Sequence, residues 1–328
     1  MASGKERELR RRIRSVQSTK KITRAMELIA ASRIVKAQQA VVAARPYSEQ
    51  ITEVISHLAS GAGAVQGQSL FTARDPVRRV GFIALTADRG LAGGYNATVI
   101  RTTERALKQV VEAGQAYSLV LVGRKAQAYF RYRHYDIDAA FTGMSDRPTY
   151  EDARAIAAAV TGRFEAGEVD QVELVYTQFL SLSTQRVTTR RLMPLSADAL
   201  VAAGSGAGAG HAGPAADYEF EPSAAAILES IVPRYVEARI FSALLEAAAS
   251  EHAARQRAMK SATDNAEELI KVLERVANRA RQEAITTEIM EIVGGAEALR
   301  QATQGGADLL PDTLSRTDVL PDSLDFRR

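Results

Sequence analysis

The sequence contains no cysteine and no tryptophan in its 328 residues. The first absence excludes disulfide frameworks, thiolate metal sites, cysteine nucleophiles and thiol redox switches. The second, with aromatics at only 6%, excludes a large aromatic core and a base-stacking platform. Neither sign of charge dominates, since 42 basic residues against 39 acidic leave a net +3. Long hydrophobic runs are missing as well. The stretches 54–73 and 199–216 carry no charge, but they consist largely of small or polar residues and lack the bulky apolar side chains that hydrocarbon requires. No apolar run follows the basic Arg10-Arg11-Arg12, so no secretory signal is read there, and the chain is expected to stay where it is made. What is present is ordinary for a folded protein, 46% hydrophobic and 25% charged.

Helical periodicity dominates both ends. Residues 1–60 hold one proline, Pro46, and no glycine between Gly4 and Gly61. Their apolar residues recur in threes and fours: Leu9, Ile13, Val16, then Ile22, Met26, Ile29, then Tyr47, Ile51, Val54, Leu58. One long helix is predicted, kinked near Pro46 and ended by the glycines of 61–67. Residues 223–299 read as a second long helix. Pro222 sits at its start, Pro233 is expected to kink it or split off its first turns, and the apolar residues of 246–268 are nearly all alanine. Its later apolar positions are Leu269, Leu273, Val276, then Ile285, Ile289, Ile292.

Between the helices the pattern changes. Within 76–200, apolar strands at 80–85, 117–122, 137–141, 172–177 and 186–190 alternate with helices at 95–111, 123–131 and 150–164, which defines an α/β domain. The last two strands read as an antiparallel pair. Residues 201–216 form a Gly/Ala-rich stretch read as a flexible loop. Residues 300–328 read as a tail, in which Leu310-Pro-Asp and Leu320-Pro-Asp repeat and the prolines argue against a regular helix.

Length arithmetic then constrains the architecture. Helices of about 55 and 75 residues extend roughly 80 and 110 Å, whereas a domain of about 120 residues is only ~35 Å across. The two helices are therefore expected to pair as an antiparallel coiled coil with the α/β domain at one end. The longer C-terminal helix overhangs its partner. Its apolar tip, Ile285, Ile289, Ile292 and Val293, demands cover from another protein.

The remaining motifs are weak taken singly. Thr86-Ala-Asp-Arg-Gly-Leu-Ala-Gly-Gly-Tyr-Asn96 follows a strand and precedes a helix, where Gly90, Gly93 and Gly94 could cradle a phosphate, but it matches neither dinucleotide nor P-loop spacing. Residues 1–36 carry eleven basic residues against three acidic. That suits nucleic acid or, without interleaved aromatics, a solvated face or an acidic protein partner. His57, His134, His211 and His252 show no metal-ligand spacing. The residues alone leave open a rod with a globular head whose tip sits inside a partner, a nucleotide- or phosphate-binding α/β enzyme, and a basic coiled-coil nucleic-acid binder.

Four segments decide among these. Lys20-Lys-Ile-Thr-Arg-Ala-Met-Glu-Leu-Ile-Ala-Ala-Ser-Arg33, the loop Ala87–Asn96, Tyr176-Thr-Gln-Phe179 and, above all, Arg255-Gln-Arg-Ala-Met-Lys-Ser-Ala-Thr-Asp-Asn-Ala266 with its continuation through Asn278–Glu288 and Glu291–Ala296 resemble the gamma-subunit family of F-type ATP synthases. The resemblance covers about residues 3–299 in order. It implies a fold of long antiparallel N- and C-terminal helices with an inserted Rossmann-like α/β domain. It implies a non-catalytic rotor shaft of the proton-translocating complex, without cofactor or metal. The shaft would couple rotation of a membrane ring of c subunits to the conformational cycle of the catalytic beta subunits. The implied partners are alpha, beta and epsilon subunits and the c-ring, not nucleic acid. The implied place is the cytoplasmic face of the bacterial inner (plasma) membrane, peripherally attached.

Site roles carry over residue by residue. Arg281 and Gln282 resemble a pair that hydrogen-bonds a beta-subunit loop, with Thr286 and Glu291 further along the same stretch. Met26 and Arg255 resemble positions near the acidic lever of beta, and Arg33 and Lys36 are placed to meet that lever too. The chain departs from the pattern at Ala92, where many relatives have cysteine, at the inserted loop 202–216, and in the tail 300–328, expected to be disordered or regulatory.

Overall fold

A computed structural model describes residues 2–60, 69–195 and 223–306. The loop 201–216, the glycines of 61–67 and both Leu-Pro-Asp repeats lie outside the described residues. The chain divides into two units, Thr19–Asn265 and a second built from Met1–Ser18 with the chain from Ala266 onward.

The first unit holds the α/β domain. Its strands are β1 (Arg79–Leu85), β2 (Ala116–Val122), β3 (Ala139–Phe141), β4 (Gln171–Phe179) and β5 (Gln185–Met193). They form one sheet in the order β3-β2-β1-β4-β5, parallel except for the β4–β5 hairpin. β1 and most of β2 read as apolar runs because both faces are covered. Phe82, Ala84, Leu119 and Leu121 point to one side, against Val99 and Leu107 of α2 (Tyr95–Glu112) and Phe130 of α3 (Arg124–Tyr132). Ile83, Leu85, Val120 and Val122 point to the other, against Ile156, Val160 and Phe164 of α4 (Tyr150–Glu165). The turn from β2 into α3 requires glycine. Gly123 has φ +95°, and a Cβ there would lie 2.2 Å from the Thr86 carbonyl oxygen.

Two long helices flank this domain in sequence, α1 (Ala2–Ser60) and α5 (Ala224–Gly306). Pro46 and Pro233 both lie inside continuous helix, so neither proline splits its element. Within the first unit the helices run antiparallel. Thr23 meets Thr263, Arg33 and His252 approach the same carboxylate, and Ile55 shares a hydrophobic cluster with Val232. That cluster also holds the α4-side face of the sheet, so the α5 segment from Leu228 to Ala247 completes the domain's core.

The face that α1 buries differs from the apolar stripe read in the sequence. Ile22, Ile29 and Val54 are exposed, while Thr23, Glu27, Ala30, Ile34, Thr52 and Ile55 are buried. The cause lies on α5, where Ala247, Ala248, Ala249 and Ala253 are buried. Small side chains bring the backbones close, so a small residue or a satisfied hydroxyl fits at the seam where an isoleucine does not.

In the second unit, Leu9, Ile13 and Val16 of α1 are half-buried. On α5, Ala266, Leu273, Ala277 and Ala280 are buried while Leu269 and Val276 are exposed. Helix α5 passes through Gly294-Gly295 and ends at Gly306. The stretch 300–306, assigned to the tail from sequence, is therefore helical.

Candidate functional site

The loop after β1 is a structural joint. Asp88 holds it together: its carboxylate accepts hydrogen bonds from the backbone N–H groups of Arg124, Gly143 and Ser145, at 3.2, 2.8 and 3.2 Å. Its own N–H donates to Ser145 Oγ at 3.0 Å. Asn96 Oδ1 accepts from Ala87 N–H at 2.8 Å. Three residues beyond Asp146, Thr149 opens α4 with a reciprocal capping box to Asp152. Asp146 thus stands on a braced loop.

From that loop Asp146 reaches both long helices. Its Oδ2 accepts from the Arg33 guanidinium of α1. Its Oδ1, buried and without a hydrogen-bond partner, lies 4.0 Å from Nε2 of His252 on α5. His252 Nε2 also sits 3.4 Å from the Asp146 carbonyl oxygen, and its Nδ1 is 3.5 Å from the Arg255 guanidinium. Arginine only donates, so Nδ1 accepts and Nε2 carries the proton in the neutral ring. Arg255 donates to Glu251 at 2.6 Å and to the Gly90 carbonyl at 3.3 Å.

The charges respond to this burial. Glu251 is 1% exposed, and burial followed by repulsion from Asp146 raises its carboxyl despite the opposing pull of Arg255. Burial lowers His252, although Asp146 draws it the other way. Asp146, Glu251 and His252 each offer a ligand atom, all within 4.8 Å of one another. Arg33 and Arg255 already occupy both carboxylates, however, and would repel a cation. The cluster is an ion-pair network.

Next to it lies a cleft of about 400 Å³, lined by Ile29, Arg33 and Lys36 of α1, Asp146 and Arg147 of the loop, and His252 of α5. The Gly-rich loop does not behave as a phosphate cradle. Its backbone donors are turned inward, with Ala87 N–H on Asn96, Asp88 N–H on Ser145 and Tyr95 N–H on the Ala92 carbonyl, and Gly93 lies against Ala258.

The residues expected to touch a partner are distributed as follows. Met26 is half-buried, Lys36 is exposed on the cleft wall and Arg33 pairs with Asp146 while its side chain stays 38% exposed. Arg255 lies inside the chain. It is 7% exposed, with its guanidinium spent on Glu251 and Gly90. In the second unit, Arg281, Gln282, Thr286 and Glu291 are all exposed on α5. Beside them Ile285, Ile289, Met290, Ile292, Val293 and Leu299 are exposed, a run of bulky apolar groups on a single helix. Asp146, Glu251 and His252 were not singled out from sequence. The Glu251–Arg255 spacing of four was visible, but nothing local links either residue to position 146.

The fold and site define a class: two long antiparallel helices gripped by an inserted α/β domain, with exposed apolar and polar positions far along α5. The family model described as ATP synthase matches residues 5–299, and the chain belongs to the ATP synthase gamma-chain family. It is 50% identical over 305 residues to an ATP synthase gamma chain of Frankia casuarinae, covering 92% of this chain and 100% of that one. It is 51% identical over 301 residues to that of a Parafrankia species, covering 90% and 98%. The fold is also that of a chain in the OSCP/F1/c-ring structure of Euglena gracilis mitochondrial ATP synthase, with TM-score 0.61, 17% identity and coverage of 97% and 100%. A Tetrahymena thermophila central-stalk chain gives TM-score 0.56 at 23% identity, covering 74% of this chain and 99% of that one.

Proposed function

We propose that this chain is the central rotor shaft of a proton-translocating ATP synthase, a subunit that makes and breaks no covalent bond itself. The observation that carries the reading is the near-complete match, at about half of all positions, to bacterial gamma chains. The exposed apolar run from Ile285 to Leu299 supports it, because such a surface on a long helix needs a protein sleeve.

The alpha and beta subunits form that sleeve in the proposal. Arg281, Gln282, Thr286 and Glu291 meet it along α5, while Met26, Arg33 and Lys36 meet the acidic lever of beta on α1. Arg255 acts from inside, fixing Glu251 and His252. The α/β domain binds epsilon and the c-ring, which holds the protein peripherally at the cytoplasmic face of the plasma membrane. Among the described residues no helix is long and apolar enough to cross a membrane. Ring rotation turns the shaft, and shaft angle biases which conformation each beta subunit prefers. Nucleotide binding biases the angle reciprocally, as linkage between two equilibria requires.

Co-purification of a tagged copy from native membranes after gentle detergent extraction tests the reading. Recovery of alpha, beta and epsilon chains, with nucleotide on alpha and beta only, is the expected result. Recovery of the chain alone, binding nucleotide or DNA, contradicts it.

A further inference from the structure

We propose that Asp146 is a positioning residue that ties the α/β domain to both long helices at once, so that torque on the domain is carried by α1 and α5 together. The inference rests on the rotor reading and adds where the load passes.

The argument begins from what holds each helix. Helix α5 is locked to the domain by packing, since Leu228, Val232, Val236, Ile240, Leu244 and Ala247 share one cluster with the sheet and α4. The apolar anchorage of α1 to that cluster comes from its end, at Ile51, Ile55 and Leu58. Further toward the N-terminus α1 buries Thr23, Glu27, Ala30 and Ile34 and meets α5 through the Thr23–Thr263 hydroxyl pair. None of these residues belongs to the cluster that locks α5 to the sheet.

Asp146 supplies a second tie, directed rather than smooth. One oxygen engages Arg33 of α1 and the other faces His252 of α5. Its backbone carbonyl meets the same histidine. The loop that carries it is braced by Asp88 on one side and by the α4 capping box on the other. Glu251 and Arg255 extend the tie to Gly90 in the loop after β1. The Arg33 contact is directional, since a guanidinium N–H must point at the Asp146 oxygen. Without it, load entering through the domain reaches α5 directly and reaches α1 only at its far end, and between that end and the Thr23–Thr263 pair no ion pair among the described residues joins α1 to the domain.

The test uses the assembled complex in inverted membrane vesicles, reading ATP hydrolysis and ATP-driven proton uptake side by side. Asp146→Ala is expected to leave hydrolysis unchanged and to lower proton uptake per ATP hydrolysed by about two-fold or more, as a population shift at one joint allows. Asp146→Glu, which keeps the charge, is expected to recover much of the loss. The chain has no cysteine, so a double variant Arg33→Cys/Asp146→Cys, which replaces the tie to α1, can be bridged by a short bis-methanethiosulfonate linker and released by dithiothreitol. Linked, it is expected to pump at the wild-type ratio; released, at the lowered one. Because both states occur in one folded molecule, poor folding of Asp146→Ala does not obscure the answer. An unchanged ratio in every variant overturns the proposal, and so does a proportional fall of hydrolysis and uptake, which signals lost assembly alone. A wild-type complex that hydrolyses ATP without pumping overturns the rotor reading itself, and the proposal with it.

Discussion

Thr23 and Thr263, 240 residues apart in the chain, meet hydroxyl to hydroxyl at 2.8 Å inside the seam between α1 and α5. Thr263 Oγ1 also lies 2.8 Å from the Met259 carbonyl, and Thr23 Oγ1 lies 3.1 Å from that of Lys20. Each hydroxyl has one proton, so two protons serve three contacts. The pair is a polar lock that lets the two backbones approach where a larger side chain would hold them apart.

Replacing either threonine alone removes the cross-helix bond and leaves the other hydroxyl with only its own helix to bond. Thr23→Val or Thr263→Val is expected to cost about 1 kcal/mol, and the double variant less than the sum, because two methyl groups then face each other. Denaturant titration of the three variants checks this. Strict additivity would contradict a direct bond.

Arg255 is the charge partner of a glutamate that is 1% exposed. Arg255→Ala strands that carboxylate and is expected to destabilise by about 3 kcal/mol or more, whereas Arg255→Met with Glu251→Gln together recovers most of the loss. Thermal melting of the single and double variants reads the difference. A single variant as stable as the wild type would refute the buried pair.

The chain's acid stability carries a signature of His252. Burial holds its imidazole below the ordinary value, with Arg255 and Arg33 adding to the effect against Asp146. The folded state therefore binds this proton less readily than the unfolded state. Its contribution is complete above the unfolded pKa near 6.5 and is lost as pH falls below that value toward the folded pKa. Glu251 has the opposite sign, since burial raises its carboxyl and its contribution falls as pH rises above about 4.5. His252→Gln is expected to flatten the loss of melting temperature just below about pH 6.5. Identical slopes would show that His252 titrates alike in both states.

Arg281 and Gln282 give the opposite kind of prediction. Both are exposed on α5, so Arg281→Ala and Gln282→Ala are expected to leave the unfolding free energy of the chain within about 0.5 kcal/mol of wild type. In the assembled complex the same changes are expected to lower ATP turnover by about ten-fold, the effect of one lost charge-assisted contact. Equal turnover would remove both residues from the proposed contact with beta.

The α/β domain was legible because its physics is local. Residues 80–85 and, apart from Ser118, 117–122 carry no polar side chain beyond the Tyr117 hydroxyl, as strands covered on both faces favour, and the helix between them buries positions spaced by three and four. Both long helices were legible from composition. Which side of α1 faces α5 was not. Ile22 and Ile29 announce an apolar stripe, but Thr23 and Ala30 occupy the seam, because the alanines of α5 set a spacing that no pattern within α1 encodes. Glu27 is buried there only because Arg24 pairs with it at 2.9 Å. The Asp146 network was illegible for a different reason, since its members come from α1, the loop before α4 and α5, and only tertiary folding unites them.

The most direct test of the central claim is single-molecule rotation. With alpha and beta subunits fixed to a surface, a bead would be attached through a cysteine introduced into the α/β domain of an otherwise cysteine-free chain. A shaft predicts that ATP drives the bead round continuously in one direction. A bead that stays still while the same complexes hydrolyse ATP would contradict the account.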